Sequence, residues 1–111
     1  MSSCVFCKIA SGEIASQILY QDEKLIAFRD INPVSPVHVL IIPKEHVSSL
    51  NDVNDFSLVS GLVERAVILA RELGLENGYR LVVNTGNDGG QSVEHLHVHL
   101  LGGRNLAWPP G

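Results

Sequence analysis

The sequence predicts an α+β domain, an antiparallel sheet of about five strands crossed by one main helix, with a short helix at the N-terminus. Two observations carry this. A single long run of helical period falls in the middle of the chain, and short apolar segments bounded by turn residues lie on both sides of it. At 111 residues the chain is long enough for one core and too short for two, so residues 1–111 are expected to form a single domain.

In order, Cys4 to Ala10 suits a short helix with Gly12 as its stop. Ser16 to Gln21 and Leu25 to Arg29 read as paired strands around a turn at Asp22-Glu23-Lys24. Two prolines make Ile31 to Pro36 a loop. Val37 to Pro43 is almost wholly apolar, as a strand covered on both faces should be, and His38 is its polar intruder. Helix signals begin at Asn54-Asp55 and run through Leu58, Leu62, Ala66, Leu69, Ala70 and Leu73 to a stop at Gly74. Tyr79 to Asn84 is a further strand, then comes a glycine-rich loop, then the strand containing His95 to Leu101.

The composition is that of a soluble globular protein, 45% apolar and 18% charged. A net charge of −4 with no cluster of Lys and Arg argues against nucleic acid as a partner. The longest apolar runs, such as Ala66 to Ala70, are too short to span a membrane, and Met1-Ser2-Ser3-Cys4 does not open a secretion signal. A cytoplasmic protein is expected, in which Cys4 and Cys7 serve as metal ligands, redox groups or plain thiols rather than as a disulfide.

The most informative segment is His95-Leu96-His97-Val98-His99-Leu100-Leu101. On a strand its three imidazoles share one face at about 7 Å spacing, while Leu96, Val98 and Leu100 point into the core. Val or Thr would fill a strand better, so the row reads as chemistry: imidazole attacks, transfers protons and binds metal near neutral pH. His97, flanked on both sides, is expected to be the best protected of the three and the one suited to attack. His38, on a neighbouring strand, can join them.

Gly89-Gly90-Gln91-Ser92 directly precedes the row. Alone it is an ordinary surface turn. Beside histidines, its backbone N–H groups and the Ser92 hydroxyl suit a phosphate. Cys4 and Cys7 have the C-x-x-C spacing of two thiolates on one zinc ion; with no second such pair, the remaining ligands would be His46 and one end of the histidine row. A redox dithiol or two idle thiols fit the spacing as well. Asp30 can accept from sugar hydroxyls or start an Asx-turn, and Asn84 can face the pocket or cap a turn. Phe6, Ile9, Ile14, Phe28 and Leu40 read most simply as core. An open sheet edge and the Trp108-Pro109-Pro110-Gly111 tail suggest a homodimer.

Together these segments resemble the histidine triad family, whose signature His-φ-His-φ-His-φ-φ (φ apolar) is met without exception from His95 to Leu101. The likeness extends over Phe28 to Pro33, His38 to Lys44, Gly89 to Val93 and the closing Gly102-Gly103-Arg104, and the ending resembles the family's nucleotide-binding branch. The resemblance implies a homodimeric purine nucleoside phosphoramidase, binding purine nucleoside monophosphates and cleaving the P–N bond of their phosphoramidates. It makes His97 the nucleophile of a nucleotidyl-histidine intermediate and His38 and His99 phosphate-site histidines. It sets Asn84, Gly90, Gln91 and Ser92 around the phosphate and leaving group, with His99 or Ser92 as proton donor. Asp30 is implied to bind the ribose, and Phe6, Ile9, Ile14, Phe28, Ile31 and Leu40 the base. A cysteine-bearing subset of the family implies a structural zinc ion on Cys4, Cys7, His46 and His95. Dinucleoside polyphosphate hydrolysis and non-catalytic nucleotide binding are the alternative functions.

Overall fold

The computed structural model describes residues 3–111. A short helix α1 (Val5–Ala10) leads into strands β1 (Ile18–Gln21), β2 (Leu25–Arg29) and β3 (Val37–Pro43), a single 3₁₀ turn (Leu50–Asp52), the long helix α2 (Ser57–Glu72), and strands β4 (Arg80–Val82) and β5 (Val98–Gly102). The five strands form one antiparallel sheet in the order β1-β2-β3-β5-β4.

The sheet is covered on both faces, which is why β2 and β3 are apolar except at Arg29 and His38. Leu25, Ala27, Val39, Ile41, Val98 and Leu100 meet Leu62, Ala66, Leu69 and Ala70 of α2. Ile26, Phe28, Leu40 and Ile42 turn the other way, onto Phe6 and Ile9 of α1. Burying each of Ile41, Leu62 and Leu100 contributes about 1.5–3 kcal/mol. The period of two assigns the faces: Val98 and Leu100 point toward α2, so His99 between them emerges on the α1 side. His38 shares that side with Leu40 and Ile42.

Strands β2 and β3 have the bounds expected from the sequence, and Gly74 ends α2 with φ +75°. Four boundaries differ. Strand β1 starts at Ile18 rather than Ser16. Helix α2 starts at Ser57 rather than Asn54, because the Asp55 carboxylate accepts from Ser57 N–H at 2.9 Å and closes the turn first. Strand β4 is limited to Arg80–Val82, pairing only with β5 at the sheet edge.

The fourth difference concerns the histidine row. Strand β5 begins only at Val98, so His95, Leu96 and His97 lie before the ladder. Pairing of β3 with β5 runs from Val37–Gly102 to Ile41–Val98. It stops near Pro43, which has no N–H to give, and whose carbonyl accepts from the His95 ring at 2.8 Å. Leu96 N–H donates instead to Val47 C=O at 2.7 Å, keeping the segment extended. Leu96 therefore still reaches the α2-side core, as expected.

Candidate active site and metal centre

Backbone groups select one tautomer for each histidine. The Nδ1 of His97 lies 2.7 Å from the carbonyl oxygen of His95. A carbonyl can only accept, so the proton is on Nδ1 and Nε2 keeps its lone pair. Val34 N–H lies 3.2 Å from Nδ1 of His38, which must accept; the proton of His38 is then on Nε2, and it donates to Nδ1 of His99 at 2.9 Å. His99 in turn carries its proton on Nε2. Its ring meets that of His97 edge-on, with centroids 4.9 Å apart. The pair therefore offers one lone pair and one N–H side by side.

Burial favours the neutral form of His38 and His99. The His99 pKa is pushed down to about 4, first by desolvation and then by the charges that His97 and His38 would carry, against a smaller opposite pull from Asp30. Desolvation also lowers that of His38, with Asp30 opposing. The best protected of the row is not His97, however, but His95, which is 0% exposed against 4%. The end histidine sits deeper because its ring, not its backbone alone, is bonded into the fold.

That ring has a different task. Its Nε2–H donates to Pro43 C=O, which leaves Nδ1 facing the thiols of Cys4 at 3.4 Å and Cys7 at 3.5 Å. Cys7 Sγ is 3.2 Å from Nδ1 of His46, and the other nitrogen of His46 faces Ser48 Oγ at 3.3 Å. The four ligand atoms of Cys4, Cys7, His46 and His95 all lie within 4.8 Å of one another. Tetrahedral zinc with ordinary Zn–S and Zn–N bonds spaces S and N by about 3.5 Å, so the set fits that ion. Each histidine also has an outer partner for its second nitrogen, as metal-bound histidines do.

Asp30, His38 and His99 also bring three ligand atoms together, with His38 Nε2 at 3.4 Å from the carboxylate. Here the fit fails. A metal on His38 Nε2 would move the ring proton to Nδ1, where it would face the Val34 N–H, donor against donor.

Beside these rings the glycine loop turns sharply, and its Gly90 and Gln91 N–H groups are engaged within it, donating to Asn87 C=O and Gly86 C=O at 3.0 Å each. Gly90 has φ +76°, and a Cβ on Gly89 would stand 2.3 Å from the Thr85 carbonyl oxygen. Ser92 is exposed beside it. Asn84 donates to Gly89 C=O at 2.7 Å and thus holds the loop. The Asx-turn at Asp30 is present, its Oδ1 accepting from Asn32 N–H at 2.8 Å, while Oδ2 turns to His38. Phe6, Ile9, Phe28 and Leu40 form one buried cluster. Ile14 is not core, being 38% exposed, and Ile31 is 88% exposed. Both stand on loops with nothing packed over them.

Three features had no sequence signal of their own: the Val34 amide, the Pro43 carbonyl, and the edge of Phe6 set against His95 and His97 with centroids 6.0 and 5.2 Å away. Only the missing N–H of Pro43, read against the row of histidines, could have drawn notice. A second cleft, lined by Gly74, Tyr79, Arg80, Arg104 and Leu106 among others, contains no histidine, cysteine or carboxylate.

This arrangement has known counterparts. Residues 11–106 match the HIT domain. The chain belongs to the HIT domain family. A 14 kDa zinc-binding protein of Zea mays is 48% identical over 99% of this chain and 89% of its own. Adenylylsulfatase HINT1 of Arabidopsis thaliana is 44% identical, covering 99% of this chain and 78% of its own. The crystal structure of a HIT family hydrolase from Legionella pneumophila Philadelphia 1 superposes with a TM-score of 0.95 at 53% identity, over 98% of this HIT domain and all of that chain. No helix among the described residues of this HIT domain is long and apolar enough to cross a membrane.

Proposed function

We propose that this protein hydrolyses purine nucleoside phosphoramidates to the nucleoside monophosphate and an amine, through a nucleotidyl-His97 intermediate. The observation that carries the reading is the 2.7 Å bond from His97 Nδ1–H to the His95 carbonyl, which leaves Nε2 unprotonated, as a nucleophile needs to be.

In the first step His97 Nε2 bonds to phosphorus as the P–N bond breaks, the amine leaving with the electron pair and taking a proton from His99 Nε2. Neutral His99 is a poor acid by itself. A bound phosphate brings negative charge to the His38–His99 pair and raises both pKa values, so proton uptake accompanies substrate binding. In the second step water adds to phosphorus and gives a proton to His99 Nε2, the P–Nε2 bond breaks with its electron pair returning to the imidazole, and the monophosphate is released. Asn84 holds the loop, turned at Gly90, whose Ser92 hydroxyl donates to a phosphate oxygen. Asp30 accepts from ribose hydroxyls. Phe6, Ile9, Phe28 and Leu40 wall the base site, with exposed Ile14 and Ile31 closing over it.

Cys4, Cys7, His46 and His95 hold zinc in this reading, a role supported by their spacing and by the name of the maize relative. With four protein ligands the ion is structural, tying α1 to the turn after β3 and to the histidine segment. A homodimer joined through the β4 edge and a cytoplasmic setting, where thiols stay reduced, complete the proposal.

The Arabidopsis relative favours one further reading, in which sulfate is the leaving group from an adenylyl phosphorus. Sulfate leaves without a proton, so His99 would matter less. Mass spectrometry of protein quenched during turnover tests the shared core: a nucleotide adduct on His97 is expected, and its absence in an active sample overturns the covalent mechanism. Comparing turnover of adenosine phosphoramidate and adenosine 5′-phosphosulfate then separates the two leaving groups.

A further inference from the structure

Gln91 stands where the resemblance puts a phosphate contact, yet its carboxamide is already engaged by the protein. One side-chain N–H donates to Ser48 C=O at 2.7 Å and the other to Val93 C=O at 3.1 Å, while Oε1 accepts from Gly86 N–H at 3.0 Å. Its backbone closes the same loop, Gln91 N–H donating to Gly86 C=O at 3.0 Å. A carboxamide has two N–H donors, and both are used. We infer that Gln91 is a positioning residue which clamps the glycine loop and the turn bearing His46 against the histidine segment, and that it does not contact substrate.

The three segments it joins have distinct duties. Ser48 follows His46 by two residues, and its hydroxyl meets the His46 ring. Val93 C=O also accepts from His95 N–H at 2.9 Å, so the clamp acts one hydrogen bond away from a metal-site residue whose carbonyl aims His97. Gly86 opens the loop that ends in Ser92. No other described side chain is recorded bonding to all three segments. Reorienting the amide toward a phosphate would take the donor from the Ser48 carbonyl and one of two donors from the Val93 carbonyl.

The kinetic arm of the test rests on the proposed phosphoramidase activity; the other two arms do not. Gln91→Met keeps length and volume and removes the three side-chain hydrogen bonds, while Gln91→Glu keeps the shape and turns a carboxylate toward two carbonyls. Three quantities are measured on each zinc-loaded variant: kcat and KM for adenosine phosphoramidate, the rate of zinc transfer to a chromogenic chelator, and amide hydrogen exchange at Gly86. Both variants are expected to lower kcat by about 10–100-fold with KM within about twofold, to release zinc about tenfold faster, and to exchange faster at Gly86 while Val39 and Ile41 in β3 keep their protection. Glu is expected to be the worse of the two. A raised KM with unchanged zinc release and unchanged Gly86 exchange makes Gln91 a substrate contact and overturns the inference. Faster exchange throughout β3 also overturns it, because the residue would then support the fold at large. If the parent protein turns over no phosphoramidate, the functional reading falls, and zinc release and Gly86 exchange still decide the role of Gln91.

Discussion

His38 Nε2 donates to His99 Nδ1 across 2.9 Å, and the direction of that bond is set by the Val34 amide on the far side of the His38 ring. Two histidines on adjacent strands thus share one orientation of protons. The N–H that results on His99 Nε2 lies beside the lone pair of His97.

Replacing His97 with alanine removes the nitrogen proposed to attack phosphorus. Turnover of adenosine phosphoramidate is expected to fall by at least about 10³-fold, with adenosine monophosphate still bound. Steady-state kinetics and calorimetric titration of the variant measure the two parts separately.

Acid should weaken the fold before it protonates the folded site. The folded pKa of His99 is about 4 against an ordinary 6.5, and that of His38 is lowered too. Between these values the unfolded chain binds protons that the folded chain refuses. The contribution of these two rings is therefore full above pH 6.5, declines as pH falls toward 4, and levels off below. The slope is about 1.4 kcal/mol per pH unit for each such proton. Urea unfolding at pH 7, 6 and 5 checks this; a midpoint that rises on acidification contradicts it.

Cys4→Ser breaks the four-ligand set while leaving the histidine rings in place. Elemental analysis is expected to give about one zinc per parent chain and clearly less for the variant, with metal affinity reduced by about 10–100-fold or more. Thermal unfolding should shift downward further than kcat does. Equal zinc content in both proteins would remove the thiol from the site.

Gly89→Ala places a methyl carbon 2.3 Å from the Thr85 carbonyl oxygen, closer than any contact the backbone tolerates. The loop must shift, at a cost of about 1–3 kcal/mol. Denaturant titration measures that loss. A fall in kcat accompanies it if Ser92 moves with the loop.

Much of this was legible in the chain itself. The unbroken apolar run of β3 announced a strand covered on both sides, and the spacing of Leu62, Ala66, Leu69 and Ala70 announced a helix over one of them. Cys4 and Cys7 pointed to His46 and to an end of the histidine row. What stayed hidden depends on partners distant in sequence. Period two could not reveal that β5 starts at Val98, because the ladder ends at Ile41, two residues short of an imino acid 55 residues earlier in the chain. Nor could it reveal that Ile14 and Ile31 stay uncovered, since apolar character says nothing about which loops are packed over. Gln91 beside two glycines looked like a ligand contact; only the three-dimensional course of Ser48 and Val93 exposes its other use.

The alternation of β3 between its two coverings divides one seven-residue segment into two kinds of position. A library randomised at Val39 and Ile41 would vary the packing under α2, whereas one randomised at Leu40 and Ile42 would vary the packing under Phe6 and Ile9 of α1. The two coverings can thus be tuned separately on the same strand by choosing alternate codons.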